Sequence, residues 1–150
     1  MRALLAACGG FLLAVLWMDL IFDVQVLRHG RGPAPLPEPV LASIAGYYRR
    51  ATTEASPMGH AIALVMLVGI AGSLFDLVRG SAPFGVRAAA LASIAAPVAL
   101  AARRVVPSAV RLGARTDPVE TQSALARAIC RDHLFCLAAI AAFVALQLAG

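Results

Sequence analysis

Lysine is absent from this chain, and all thirteen of its basic residues are arginine. Charged residues make up only 14% and aromatic residues 6%. The arginines are scattered among connecting segments, not gathered into a basic stripe interleaved with aromatics, and this excludes a nucleic-acid partner. A GC-rich codon bias explains an all-arginine complement as well as any function does.

Cysteine is scarce too: Cys8, Cys130 and Cys136. On a helix Cys130 and Cys136 face different sides, about 9 Å apart in rise alone. They cannot bridge each other. There is no C-x-x-C motif and no C-x-x-C-H haem-attachment sequence, so a disulfide framework and covalent c-type haem are excluded. No G-x-S-x-G, Walker or D-x-x-D-G pattern occurs. Leu5-Ala6-Ala7-Cys8 looks like a lipoprotein box, but too short an apolar run precedes it. The expectation is a retained N-terminal anchor.

Hydrophobic residues make up 61% of the 150 positions, and mean hydropathy is +0.82. That composition belongs to a polytopic membrane protein. Four apolar segments have spanning length, at about 3–27, 58–78, 84–106 and 118–149. Within a bilayer each must satisfy its own backbone, so each is expected to be a helix. The predicted fold is an all-α integral membrane protein, a single bundle of four transmembrane helices. Pro97 should kink the third. Small residues, Gly69 and Ser73 on the second helix and the alanines of the third and fourth, permit close packing.

The first connection, 28 to 57, opens with prolines at 33, 35, 37 and 39, an extended stretch. Val40, Leu41, Ile44, Tyr47 and Tyr48 then follow a helical period. This predicts an interfacial amphipathic helix with tyrosines at headgroup level. T-D-P-V-E predicts the start of the fourth helix, with Asp117 as its cap and Pro118 first. From Pro118 to Ala149 it would measure about 48 Å. A hydrocarbon core needs only about 30 Å, so this helix should extend out of the membrane.

Arg2, Arg79 and Arg87 fall on one side of the bundle, and the other ten arginines on the other. The arginine-rich loops are therefore expected in the cytoplasm and both termini outside.

Depth along the helices places the polar groups. Asp19 lies about 22 Å below Leu4, and Asp23 about 28 Å. His133 and Asp132 lie about 26 and 27 Å below Gly150. His60, preceded by Glu54, starts the second helix at this level, and Arg103 and Arg104 finish the third there. Asp76 and Arg79, on the opposite side, are expected to pair with each other.

Asp19 and Asp23, one turn apart, share a helix face. A cation should sit between them or one should hold a proton. Arg103, Arg104, Arg131 or a metal could be that cation. Ionisable groups inside a membrane are costly and mark function, although simple pairing for helix register remains open. Asp19, Asp23, Asp132 and His133 are the candidate catalytic residues. Asp19, Asp23, His60 and His133 could ligate one iron, zinc or manganese ion. Non-covalent haem on one histidine is another option. For His29 and His60 a solvated histidine is the plainer reading, and for Cys130 and Cys136 simple packing. Arg103, Arg104 and Arg131 could hold anionic headgroups.

Two functions lead from the sequence, and a transporter is a third, though four helices without an internal repeat would need a dimer. One is a small membrane enzyme or binding protein for a lipophilic ligand of lipid or quinone type. The other is a structural or assembly subunit of a larger membrane complex. Partners would be membrane lipids, with a homo-oligomer or complex partners also open.

Overall fold

A computed structural model describes residues 1–30, 32, 34–54 and 56–149, apart from the side chain of Ser56. Arg31, Pro33 and Gly150, used above for the arginine count, the proline stretch and the depth scale, lie outside the described residues. Among those described, helix dominates and no strand occurs.

Helix α1 spans Arg2–Asp23 and tightens into a 3-10 turn over Val24–His29. Pro37 and Pro39 then set up α2, Glu38–Arg49. Proline suits a first turn because its missing N–H has no helical partner there anyway. A π turn at Arg50–Glu54 leads into α3, Ser56–Arg79. A tight turn follows. In it Arg87 reaches back to the end of α3, donating to the carbonyls of Asp76 and Leu77 at 3.1 and 2.6 Å, and among the described residues no ion pair joins Asp76 to Arg79.

Helix α4, Phe84–Leu100, runs through Pro97. It then widens into a π turn at Ala101–Val105 and continues as α5, Val106–Ala114. Pro107 cannot donate to the carbonyl four residues back, so the ladder changes register just before it. The Val106 N–H bonds instead to the Ala101 carbonyl. The third helical rod thus reaches well beyond its expected end near residue 106. Helix α6 spans Val119–Ala149. Asp117 does not cap it; its carboxylate binds Arg111 Nη2 at 2.8 Å.

Among the described residues four helical rods are long and apolar enough to cross a membrane: Arg2–His29, Pro57–Arg79, Phe84–Ala114 and Val119–Ala149. The molecule is an all-α multi-pass membrane bundle. Its outer surface is apolar. Trp17, Leu64, Leu67, Phe75 and Val78 are each more than half exposed, as side chains facing lipid are.

Helix α6 is the central element. Its buried residues include Ala126, Ile129, His133, Cys136, Ile140, Phe143 and Gln147, spaced by three or four along one stripe. It packs most extensively on α1 and then on α4. At Gly9 of α1 an added Cβ would come within 2.5 Å of Val144 Cγ2, so only glycine lets these two helices approach so closely.

Among the described residues two cores form. Leu5, Leu12, Ala90, Ile94, Ile140 and Phe143 join α1, α4 and α6 at one end. At the other end Leu41, Ile44, Ala45 and Tyr48 of α2 pack with Val105, Ala109, Leu112, Ala126, Ile129 and Cys130. At Gly113 of α5 an added Cβ would lie 2.9 Å from the Arg49 backbone nitrogen, so α2 and α5 touch backbone to backbone.

Helix α2 is amphipathic, as its periodicity predicts. Its tyrosines, however, do not point outward to headgroups. The extension of the third rod into α5 gives α2 a protein partner, and Tyr48 is buried with the rest of that face.

Candidate functional site

Between the two cores lies a polar layer. Asp19 and Asp23 come from the last turns of α1, His133 from the middle of α6, and Tyr47 and Tyr48 from the end of α2. The i, i+4 spacing on α1 turns both carboxylates toward α6. The α2 helix lays its last turn over them.

The hydrogen bonds are short. His133 Nδ1 lies 2.6 Å from Asp23 Oδ2. Tyr48 donates its hydroxyl to Asp23 Oδ1 at 2.7 Å, and Tyr47 donates to Asp19 Oδ1 at 2.6 Å. The Tyr48 oxygen is also 3.4 Å from His133 Nδ1. His133 Nε2 faces Asp19 Oδ2 at 3.8 Å, beyond direct hydrogen-bond reach. The imidazole therefore stands between two carboxylates, bonded to one and facing the other across a gap. Asp23 is wholly buried, whereas the Asp19 side chain keeps 16% of its surface. Phe22 stacks on Tyr47, ring centres 4.3 Å apart.

Burial pushes both phenols above the ordinary tyrosine range. The hydrogen bond to Asp19 adds to this at Tyr47, and the nearby Asp23 charge at Tyr48. The phenols thus stay neutral donors in the fold, while an unfolded tyrosine ionises near pH 10. Their contribution to stability is whole below about pH 10 and is lost as pH rises above it. Thermal melting in detergent should be flat from pH 7 to about 9.5 and fall above pH 10. The fall should shrink in the double variant Tyr47→Phe, Tyr48→Phe; an unchanged profile would contradict the coupling.

Of the residues marked out in the sequence, the structure brings Asp19, Asp23 and His133 together. Asp132 belongs elsewhere. One residue turns a helix by about 100°, so Asp132 faces the π turn, 3.4 Å from Arg104 Nη2 and 3.5 Å from Arg131 Nε. Those two arginines therefore serve Asp132, not the α1 aspartates. Arg103 is exposed. His60 sits in the exposed first turns of α3. Glu54 pairs with Arg49 at 3.1 Å. Cys130 is part of the core beneath α2, and Cys136 Sγ lies 4.0 Å from the Pro97 carbonyl.

The four-residue metal set is not assembled: among the described residues no three His, Cys, Asp or Glu side chains are grouped to hold a metal. The spacing explains why. Two donors on one metal, each about 2.1 Å from it, stand about 3.4 Å apart. Asp23 and His133 are at hydrogen-bond distance instead.

The tyrosines are the site residues that sequence reasoning assigned to another role. A signal existed: they are the chain's two tyrosines, and Tyr48 falls at i+7 and i+4 from Leu41 and Ile44, on the buried face.

Two clefts lie away from this layer. One of about 400 Å³ is at the opposite end of the bundle, lined by Arg2, Ser81, Pro83 and Leu146. The other, about 220 Å³, lies between α2 and α5 and is lined by Arg49 and Arg115 among others. Neither reaches His133. Comparison with known proteins finds no matching family model, no matching curated protein and no matching solved structure.

Proposed function

We propose that this membrane protein binds, and does acid–base chemistry on, a lipophilic ligand at the Asp19–His133–Asp23 layer. The arginine-rich side, and with it this layer, would lie at the cytoplasmic boundary. One observation carries the reading: His133 is held at Nδ1 by a fully buried carboxylate, while Nε2 faces a partly exposed one. Such an imidazole is fixed in tautomer and orientation, and Nε2 is the atom that exchanges a proton. Asp19 stands alongside to hold that proton or the ligand. Leu16 and Phe22, three residues either side of Asp19 and so on its face of α1, are partly exposed apolar groups, so the way in is apolar. Proton exchange needs no metal, and the 2.6 Å contact suits a proton better than a shared ion.

The test is extraction. The wild type, Asp19→Asn and His133→Gln would be purified in mild detergent and their retained lipid-soluble molecules identified by mass spectrometry. A molecule held by the wild type should fall at least about tenfold in both variants, a change of about 1.4 kcal/mol in binding, while both still melt cooperatively. Identical contents in all three would overturn the reading. Bound metal measured on the same samples should be independent of Asp19 and His133.

A second reading has its own support. Asp23 and Tyr48, both buried, tie α1, α2 and α6 together. In a structural subunit of a membrane complex that knot would be the whole purpose of the layer. Then Asp19→Asn should impair assembly or folding, not ligand retention.

A further inference from the structure

The donor and acceptor inventory of the layer narrows the ligand class; this step rests on the ligand-binding reading above. Asp23 Oδ1 and Oδ2 are engaged by Tyr48 and His133, and Asp19 Oδ1 by Tyr47. That leaves Asp19 Oδ2 and His133 Nε2, which face each other at 3.8 Å. A single oxygen can sit about 2.8 Å from both atoms at once, at the apex of a triangle. With one proton between them, one of these two atoms donates and the other accepts, Nε2 being the donor when the proton sits on the imidazole. The bridging atom must therefore donate to one and accept from the other. A hydroxyl does both. A carbonyl or ether oxygen can accept from His133 but meets Asp19 with a second set of lone pairs.

We infer that the Asp19–His133 gap is a receptor for one hydroxyl oxygen of an alcohol, phenol or quinol that enters from the bilayer. The partly exposed Leu16 on the same face of α1 would take the hydrocarbon part, against the flat Phe22–Tyr47 stack that adjoins Asp19 through the Tyr47 hydrogen bond. The phenolic form of a ring compound binds; its oxidised carbonyl form does not compete.

The experiment uses the full chain in phosphatidylcholine nanodiscs with ¹⁵N-labelled histidine. The His133 resonances are assigned by their loss in His133→Gln. Three probes of similar size are titrated: 4-octylphenol, its methyl ether 4-octylanisole, and octylamine. The phenol should shift the His133 signals and bind at least about tenfold more tightly than the ether. Asp19→Leu should reduce the phenol to the level of the ether; if that variant does not fold, Asp19→Asn takes its place. Equal binding of phenol and ether at His133 overturns the hydroxyl class but leaves a ligand site. Tighter binding of the amine than of the phenol overturns it in favour of a cation. If no probe shifts His133, or if all bind His133→Gln unchanged, the ligand-binding reading itself fails.

Discussion

Replacing Asp23 by alanine should destabilise the protein by about 3–5 kcal/mol, the range for removing one partner from a buried charged pair. The substitution strands two groups at once. Tyr48 loses the acceptor of its 2.7 Å hydrogen bond, and His133 Nδ1 loses its 2.6 Å partner, both out of reach of water. Three elements, α1, α2 and α6, would lose their common contact. Asp23→Asn should cost less, because an amide oxygen can still accept from Tyr48. Thermal melting of the two variants in detergent checks this. A melting temperature for Asp23→Ala within a degree or two of wild type would mean that the layer holds nothing together. Asp19→Ala should be milder, since Asp19 keeps some exposure and one short hydrogen bond.

The second large effect is expected in the core beneath α2. Ile44 is fully buried there, against residues of α5 and α6. Ile44→Ala should cost about 2–5 kcal/mol, the usual range for removing a buried aliphatic side chain. Helix α2 lies outside the four spanning rods, so its loosened face would meet water or headgroups and not hydrocarbon. A lipid-facing truncation such as Leu67→Ala, at a site 65% exposed, should stay within about 0.5 kcal/mol of wild type. Hydrogen exchange adds a spatial readout. In Ile44→Ala, protection should fall first in α2 and then at Tyr47 and Tyr48. Uniform loss along all helices would show that α2 does not open as a unit. Because α2 carries both tyrosines, this variant should also weaken ligand retention without touching a site residue.

The sequence carried the four spanning rods in its hydropathy, since a helix in lipid needs only sufficient apolar length. It also placed Asp19, Asp23 and His133 at one depth, because depth along a helix is a fixed rise per residue. The i, i+4 relation of the aspartates sent both toward one neighbour, and the structure has His133 between them.

Direction around each helix was less legible, because the partner that packs there sets it. Asp132 and His133 share a depth, yet Asp132 turns to Arg104 while His133 turns to α1. Tyr47 and Tyr48 read as headgroup anchors so long as the third rod ends near residue 106. Once it continues through a π turn into α5, α2 has a face to pack on and the hydroxyls swing inward. Segment identity, helix length and axial level are local properties, determined by composition and rise per residue. Which side chains meet within a level depends on rotation, register shifts and close approach at positions such as Gly9 and Gly113, and those are settled only when all the helices pack at once.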